Sequence, residues 1–66
     1  MNMTYYALKS TKNNEFVKEY DESAATLVFT QNIREAATFR GEQETEFYVN
    51  EFKNQFHVNL IPHEIM

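Results

Sequence analysis

Segments of alternating apolar and polar residues near the N-terminus predict a β-hairpin. Residues 4–10 and 15–20 are rich in strand-forming types and flank a short polar stretch. Asn13 and Asn14 lie in that stretch, and asparagine tolerates the positive φ angles of hairpin turns better than any residue except glycine. The pattern therefore predicts two antiparallel strands joined near these two residues.

The register of this hairpin decides which side chains share a face, because a slip of one residue exchanges the two faces of a strand. A three-residue loop at residues 12–14 collects most of the bulk on one side. It pairs three sets of residues: Ser10 with Phe16, Leu8 with Lys18, and Tyr6 with Tyr20. This register gathers the larger side chains on one face: Tyr6, Leu8, Phe16 and Tyr20. It leaves Tyr5, Ala7 and Val17 on the other.

A third strand and then a change of period follow the hairpin. Residues 25–30 come after a turn at residues 21–23 and alternate so that Leu27 and Phe29 point inward and Val28 outward. A short helix is predicted next, because Asn32 with Glu35 three residues later is typical of a helix start. Gly41 is well placed to end that helix after Arg40.

A longer amphipathic helix is predicted from Glu42 to near Gln55. Its first turns are acidic, where the helix dipole favours carboxylates, and its apolar residues form one stripe: Tyr48, Val49, Phe52 and Phe56. Phe47 lies off that stripe. Alternation over residues 56–61 then predicts a fourth strand, which Pro62 closes.

The order β-β-β-α-α-β predicts a single α+β domain over residues 1–66. We expect a mostly antiparallel four-stranded sheet with both helices on one face. The closing strand should lie beside the first strand, either at an edge or between neighbours.

Length, charge and cysteine content narrow the function. A chain of 66 residues buries one shallow core, and it has no cysteine to supply a disulfide or a thiolate. The formal charge is −4, from ten acidic and six basic residues, which argues against binding by phosphate neutralisation. No apolar run reaches the roughly 20 residues that cross a bilayer, so we expect a cytoplasmic protein without a membrane partner.

Residues that could carry chemistry are few. His57 and His63 match no common zinc spacing, and a single glycine excludes a glycine-rich phosphate loop. The glutamates of the longer helix fit a solvated helix start better than paired catalytic carboxylates. The sequence therefore predicts no enzyme, no catalytic residue, no metal and no cofactor.

Two surfaces remain as candidates for interaction. Because the helices cover only one face of the sheet, the other face carries Tyr5, Val17 and Val28, which Ile61 can join, and it is more apolar than a solvated face requires. We expect this face to bind another protein or a second copy in a homodimer, with Tyr5 as the anchor. The acidic helix offers the second surface, through Glu42 and Glu46.

The chain as a whole resembles small uncharacterised proteins of temperate phages and prophages of staphylococci and related Gram-positive bacteria. The likeness lies in the strand Tyr5-Tyr6-Ala7-Leu8-Lys9, a hairpin ending near Phe16-Val17, and the run from Phe29 to Phe39. The resemblance implies a phage origin and the host-cell cytoplasm, and it carries over no site residues. Together with the surfaces above, it suggests a non-enzymatic accessory protein that binds a host or phage protein.

Two alternatives stay open. Lysines interleaved with aromatic residues on the hairpin resemble surfaces that bind single-stranded nucleic acid; the lysines are Lys9, Lys12 and Lys18. Alternatively, carboxylates along the longer helix could imitate phosphates and block a host protein. The small net charge argues against both.

Overall fold

The computed structural model describes residues 3–65 and has the predicted α+β class. Its elements, in chain order, are β1 (Tyr5–Ser10), β2 (Phe16–Asp21), β3 (Thr26–Thr30), a 3₁₀ turn (Ile33–Glu35), β4 (Phe39–Arg40), α1 (Gly41–Phe56) and β5 (Leu60–Glu64). The five strands form one antiparallel sheet. The expectation of four strands and two helices is therefore only partly met.

Strand β1 is the centre of the sheet. Lys9 has partners in both β2 and β5, and Tyr6 has partners in both β4 and β5. A strand has only two hydrogen-bonding edges, so β5 occupies one edge of β1 while β2 and β4 share the other. Among the described residues, β3, β4 and β5 each pair with a single strand. The closing strand lies beside the first strand at an edge, as one predicted arrangement required.

The predicted hairpin forms, but in a register one residue away from the prediction. Lys9, not Ser10, lies opposite Phe16, and the Ser10 amide donates to the Glu15 carbonyl at 2.8 Å. The loop is therefore longer than three residues, and this change exchanges the faces of Phe16 and Val17. The bulge between Val17 and Glu19 leaves Tyr20 on the helix side, as predicted. Val17 is 0% exposed and belongs to the core, so its prediction as a surface residue is wrong.

The geometry of the hairpin loop explains the difference. Positive φ angles occur at Ala25, His57 and Gly41, and neither asparagine of the loop has one. Instead, the Asn13 side chain accepts a hydrogen bond from the Glu15 amide at 3.2 Å. The asparagine contributes by bonding the backbone, which a longer loop can accommodate.

Strand β3 follows its prediction closely. Leu27 and Phe29 pack against the core, and Val28 points away from it. The turn before β3 is held by Asp21, whose carboxylate accepts from the Ser23 hydroxyl at 2.7 Å and from two backbone amides. These bonds, the Ser23 hydroxyl first, hold the pKa of Asp21 below its ordinary value.

The predicted short helix is wrong. Asn32 does cap the backbone, accepting from the Arg34 amide at 3.0 Å, but the helical segment ends after a single 3₁₀ turn. The Glu35 carboxylate accepts from the Thr30 hydroxyl at 3.0 Å instead of closing a capping box. The Ala37 amide then donates to the Val17 carbonyl at 2.9 Å, which ties the chain to β2 and leads it into β4.

Gly41 begins the long helix instead of ending a short one. Its φ of +79° lies in the region that favours glycine, and its amide donates to the Thr4 carbonyl at 2.8 Å. The chain needs this angle to pass from β4 directly into α1. The acidic first turn of the helix, with Glu42 and Glu44, is as predicted.

We expect Gly41→Ala to cost about 1 to 2 kcal/mol of unfolding free energy, because a Cβ disfavours this φ. The added atom itself would meet only the Met3 sulfur at 3.7 Å, an ordinary contact. Chemical denaturation measures the loss. The control Gln43→Ala, at an exposed helical position, should change stability by less than about 0.5 kcal/mol, and equal losses in both variants would contradict the backbone account.

The predicted apolar stripe of α1 packs on the sheet, and the off-stripe Phe47 is exposed, as expected. Phe52 is fully buried at its centre. It joins a core cluster of five buried residues: Leu8, Val17, Phe39, Phe52 and Leu60. The remaining stripe residues, Tyr48, Val49 and Phe56, pack against that cluster.

The last strand begins later than predicted. His57 adopts a left-handed conformation at the end of α1, its amide donating to the Lys53 carbonyl at 3.0 Å. Strand β5 then starts at Leu60, and Pro62 lies inside it instead of closing it. Proline is compatible with this position because β5 is an outer strand, and a missing amide on its free edge costs no ladder hydrogen bond.

Tyr20 is expected to lower the free energy of unfolding as the pH rises into the alkaline range. Its ring lies 5.0 Å from that of Phe52, and burial, aided by the neighbouring Tyr48, raises the pKa of Tyr20 to about 12. In the unfolded chain a tyrosine ionises near pH 10. Between about pH 10 and 12 the unfolded state therefore loses a proton that the folded state keeps, and stability falls as pH rises.

We expect Tyr20→Phe to lose less stability between pH 9 and 11.5 than the parent does, since phenylalanine has no proton to release. Urea denaturation at about these two pH values gives the comparison. A pH-dependent loss equal to that of the parent would show that Tyr20 does not carry this effect.

Candidate interaction surface

One face of the sheet is covered by α1, and within residues 3–65 no helix covers the opposite face. We call this opposite face the outer face, and its exposed apolar residues are Tyr5 in β1, Val28 in β3 and Ile61 in β5. They are 39%, 37% and 48% exposed. The faces follow from strand alternation: Leu8, Tyr6 and Val17 point toward the helix, so their neighbours in sequence point outward.

An aromatic pair crosses the middle of the outer face. Phe16 of β2 and His63 of β5 meet edge to face, with ring centroids 5.4 Å apart. These strands flank β1, and Ala7 lies directly opposite His63. Only a small residue on β1 leaves room for the rings to meet above it, which accounts for the complete burial of Ala7 and the near burial of Phe16.

Basic side chains surround Tyr5 and Ile61 on the outer face. Lys9 lies opposite Ile61, and Arg40 lies opposite Tyr5. Residues directly opposite each other in adjacent strands share a face. The acidic residue of β5, Glu64, is opposite Tyr6 and therefore faces the helix side. The part of the outer face around β1 and β5 is thus apolar and basic.

The five residues predicted from sequence to take part in interaction lie in three different parts of the structure. Tyr5 and Val28 both lie on the outer face, but β2 stands between their strands. Val17 lies in the core. Glu42 and Glu46 lie on the helix side, where they line one shallow groove.

Sequence reasoning missed the contact between Phe16 and His63. The predicted register placed Phe16 on the helix side, and His63 was placed beyond the end of the last strand. The alternation of Ile61, His63 and Ile65 was a signal that the strand continues through Pro62. The one-residue shift of the hairpin had no comparable signal.

The helix-side groove has a volume of about 220 Å³ and is lined by Tyr6, Glu42, Thr45, Glu46 and Pro62. Partial burial of Tyr6, with the carboxylates of Glu42 and Glu64 adding to it, raises the pKa of its hydroxyl. The Thr45 hydroxyl donates to the Gly41 carbonyl at 2.6 Å and so has its partner within the helix. The groove is small and acidic.

Neither a metal-binding cluster nor a membrane-spanning helix occurs within residues 3–65. Within residues 3–65, no group of three or more His, Asp or Glu side chains lies close enough to hold a metal ion. The one α-helix in that range is too short and too polar to cross a membrane.

Comparison with known proteins identifies no relative of this chain. The chain matches no protein-family model, no curated protein and no solved structure.

Proposed function

We propose that the protein is a non-enzymatic binding protein, an accessory protein of phage origin, that docks a host or phage protein on its outer face. The observation that carries this proposal is the exposure of Tyr5 and Ile61 on a sheet face without a covering layer. Exposed apolar surface of this kind commonly marks an interface. Tyrosine is also among the residues that dominate binding energy, which makes Tyr5 the proposed anchor.

The charges of the outer face define the chemistry of the partner. Lys9 and Arg40 lie beside Ile61 and Tyr5, and Glu64 of β5 faces the helix side. Glu19 of β2 lies on the outer face opposite Val28, toward the β3 edge. Complementary charges at a rim fix the orientation of a complex and speed its formation. The expected partner surface is therefore apolar at its centre and acidic around it.

Affinity capture with three forms of the full chain tests this proposal. The parent and Phe47→Ser should retain the same partner, because Phe47 is exposed to 56% but lies on α1. The double variant Tyr5→Ser, Ile61→Ser should lose it. A partner that the double variant retains would place the working surface elsewhere, with the acidic helix as the next candidate.

A nucleic-acid-binding module is the second candidate function. The observation that favours it is the placement of Tyr5, Lys9 and Arg40 on one face, away from the carboxylates of α1. Against it, Tyr6 and Tyr20 face the helix side, so fewer rings are free to stack on bases than the hairpin sequence suggested.

Titration with single- and double-stranded oligonucleotides at two salt concentrations distinguishes the two candidates. Binding that weakens steeply with salt, and weakens again in Lys9→Ala, would favour the nucleic-acid module. The leading proposal expects no binding at either concentration.

A further inference from the structure

Strand β3 leaves one edge of the sheet without a partner. It is the outermost strand beyond β2, and an antiparallel strand directs its backbone groups alternately to both sides. Among residues 3–65, no backbone hydrogen bond joins residues 26–30 to anything but β2. The amides and carbonyls on the far side of β3 are therefore available for another strand.

This edge lacks the features that protect outer strands from pairing. Proteins protect such edges with charged residues, proline or a bulge. The sequence of β3, Thr-Leu-Val-Phe-Thr, has neither charge nor proline, and the bulge of this ribbon adds its extra residue to β2, between Val17 and Glu19. The opposite edge, β5, does contain Pro62 and Glu64.

The sequence of β3 is complementary to itself. Val28 is its central residue. An apolar residue lies on each side of Val28, Leu27 and Phe29, and a threonine lies at each end, Thr26 and Thr30. An antiparallel pair of two copies with a two-fold axis at Val28 would place Val opposite Val, Leu opposite Phe and Thr opposite Thr. Aromatic with aliphatic pairs and threonine pairs are among those that stabilise sheets.

The residues around β3 extend this complementarity. From 23 to 33 the chain has no Asp, Glu, Lys or Arg, and Val28 is the central residue of that range. Glu22 precedes the range and Arg34 follows it, and both are exposed. The two-fold arrangement brings Glu22 of one copy toward Arg34 of the other.

We propose that β3 pairs with β3 of a second copy of this chain, forming a two-fold dimer with one continuous sheet. This interface is a sheet edge, and it is separate from the part of the outer face around Tyr5 and Ile61 that is proposed for partner binding. The half-buried Leu27 and Phe29 would gain cover from the second copy. Two strands of this length bury little surface compared with the roughly 1,200 Å² of a stable interface, so the dimer forms at high concentration.

Charge substitution at the two-fold axis tests the dimer by sedimentation of the full chain over about a hundredfold range of concentration. The parent should pass from monomer to dimer. Val28→Lys and Val28→Glu should each raise the dissociation constant at least tenfold, because each places like charges opposite one another. Mixing these two variants should restore the dimer. The control Ile61→Lys, on the far edge, should dimerise like the parent.

Cysteine cross-linking gives an independent test, since the chain has no cysteine of its own. Opposed residues of an antiparallel pair have Cα atoms about 4.5 to 5.5 Å apart, which a disulfide can span. Val28→Cys should form a covalent dimer on mild oxidation and Ile61→Cys should not. A parent that stays monomeric throughout, a Val28→Lys variant that dimerises as tightly as the parent, or equal cross-linking of both cysteines would overturn the proposal.

Discussion

Phe52→Ala is expected to destabilise the protein by about 3 to 5 kcal/mol, the usual cost of removing a buried ring. Phe52 is fully buried, and its ring contacts other aromatic rings at centroid distances of 5.0 to 6.4 Å. The four partners are Tyr20, Phe39, Tyr48 and Phe56. Small domains are stable by only about 5 to 15 kcal/mol, so the variant should be largely unfolded at temperatures at which the parent is folded.

A thermal melt followed by circular dichroism measures this loss. Phe47→Ala provides the matched control, because it removes the same side chain from an exposed position on the same helix. It should change stability by less than about 0.5 kcal/mol. If Phe52→Ala melted at the temperature of the parent, α1 would not pack on the sheet through this face.

Val17→Ser is expected to cost about 2 to 4 kcal/mol, the second largest effect. Val17 is completely buried in the core cluster, and serine both removes apolar contacts and places a hydroxyl without an evident partner in the core. The substitution tests the hairpin register directly. The alternative register, one residue away, places Val17 on the outer face, where serine would be tolerated.

Val28→Ser is the matched control for this substitution. It makes the same change in a neighbouring strand at a position exposed to 37%, so it should cost only about 1 kcal/mol, clearly less than Val17→Ser. Denaturation at low protein concentration keeps any association out of the measurement. Comparable losses at the two positions would contradict the observed register.

The helix and the third strand could be predicted because their patterns are local. The stripe of α1 repeats with the helical period, and Val28 alternates with Leu27 and Phe29, so each element orients itself once it packs on a core. Both patterns can be recognised from neighbouring residues alone. The stripe and the alternation of β3 were both confirmed.

The segment between β3 and α1 could not be predicted in this way. Asn32 gives a genuine helix start, but the hydrogen bond from Ala37 to Val17 draws the chain into an extended path. A contact between residues that far apart in sequence leaves no local pattern. A second long-range hydrogen bond, from the Gly41 amide to the Thr4 carbonyl, holds Gly41 where the chain enters α1, so this glycine begins a helix instead of ending one.

The candidate surface was predicted in part. Tyr5 and Val28 lie on the outer face, because alternation assigned each of them correctly. Val17 was misassigned by the loop length, because the register that collects most of the bulk on one face differs by one residue from the observed one. The meeting of Phe16 and His63 above Ala7 depends on three strands at once.

The central claim is that the outer face binds the partner, and NMR mapping of the residues that a bound partner affects tests it most directly. Isotope-labelled protein, titrated with a partner that affinity capture has identified, reports binding through the chemical shifts of individual residues. The account predicts that the largest changes occur at Tyr5, Lys9, Ile61 and His63. Changes concentrated at Glu42, Glu46 and Phe47, with β1 and β5 unaffected, would contradict it.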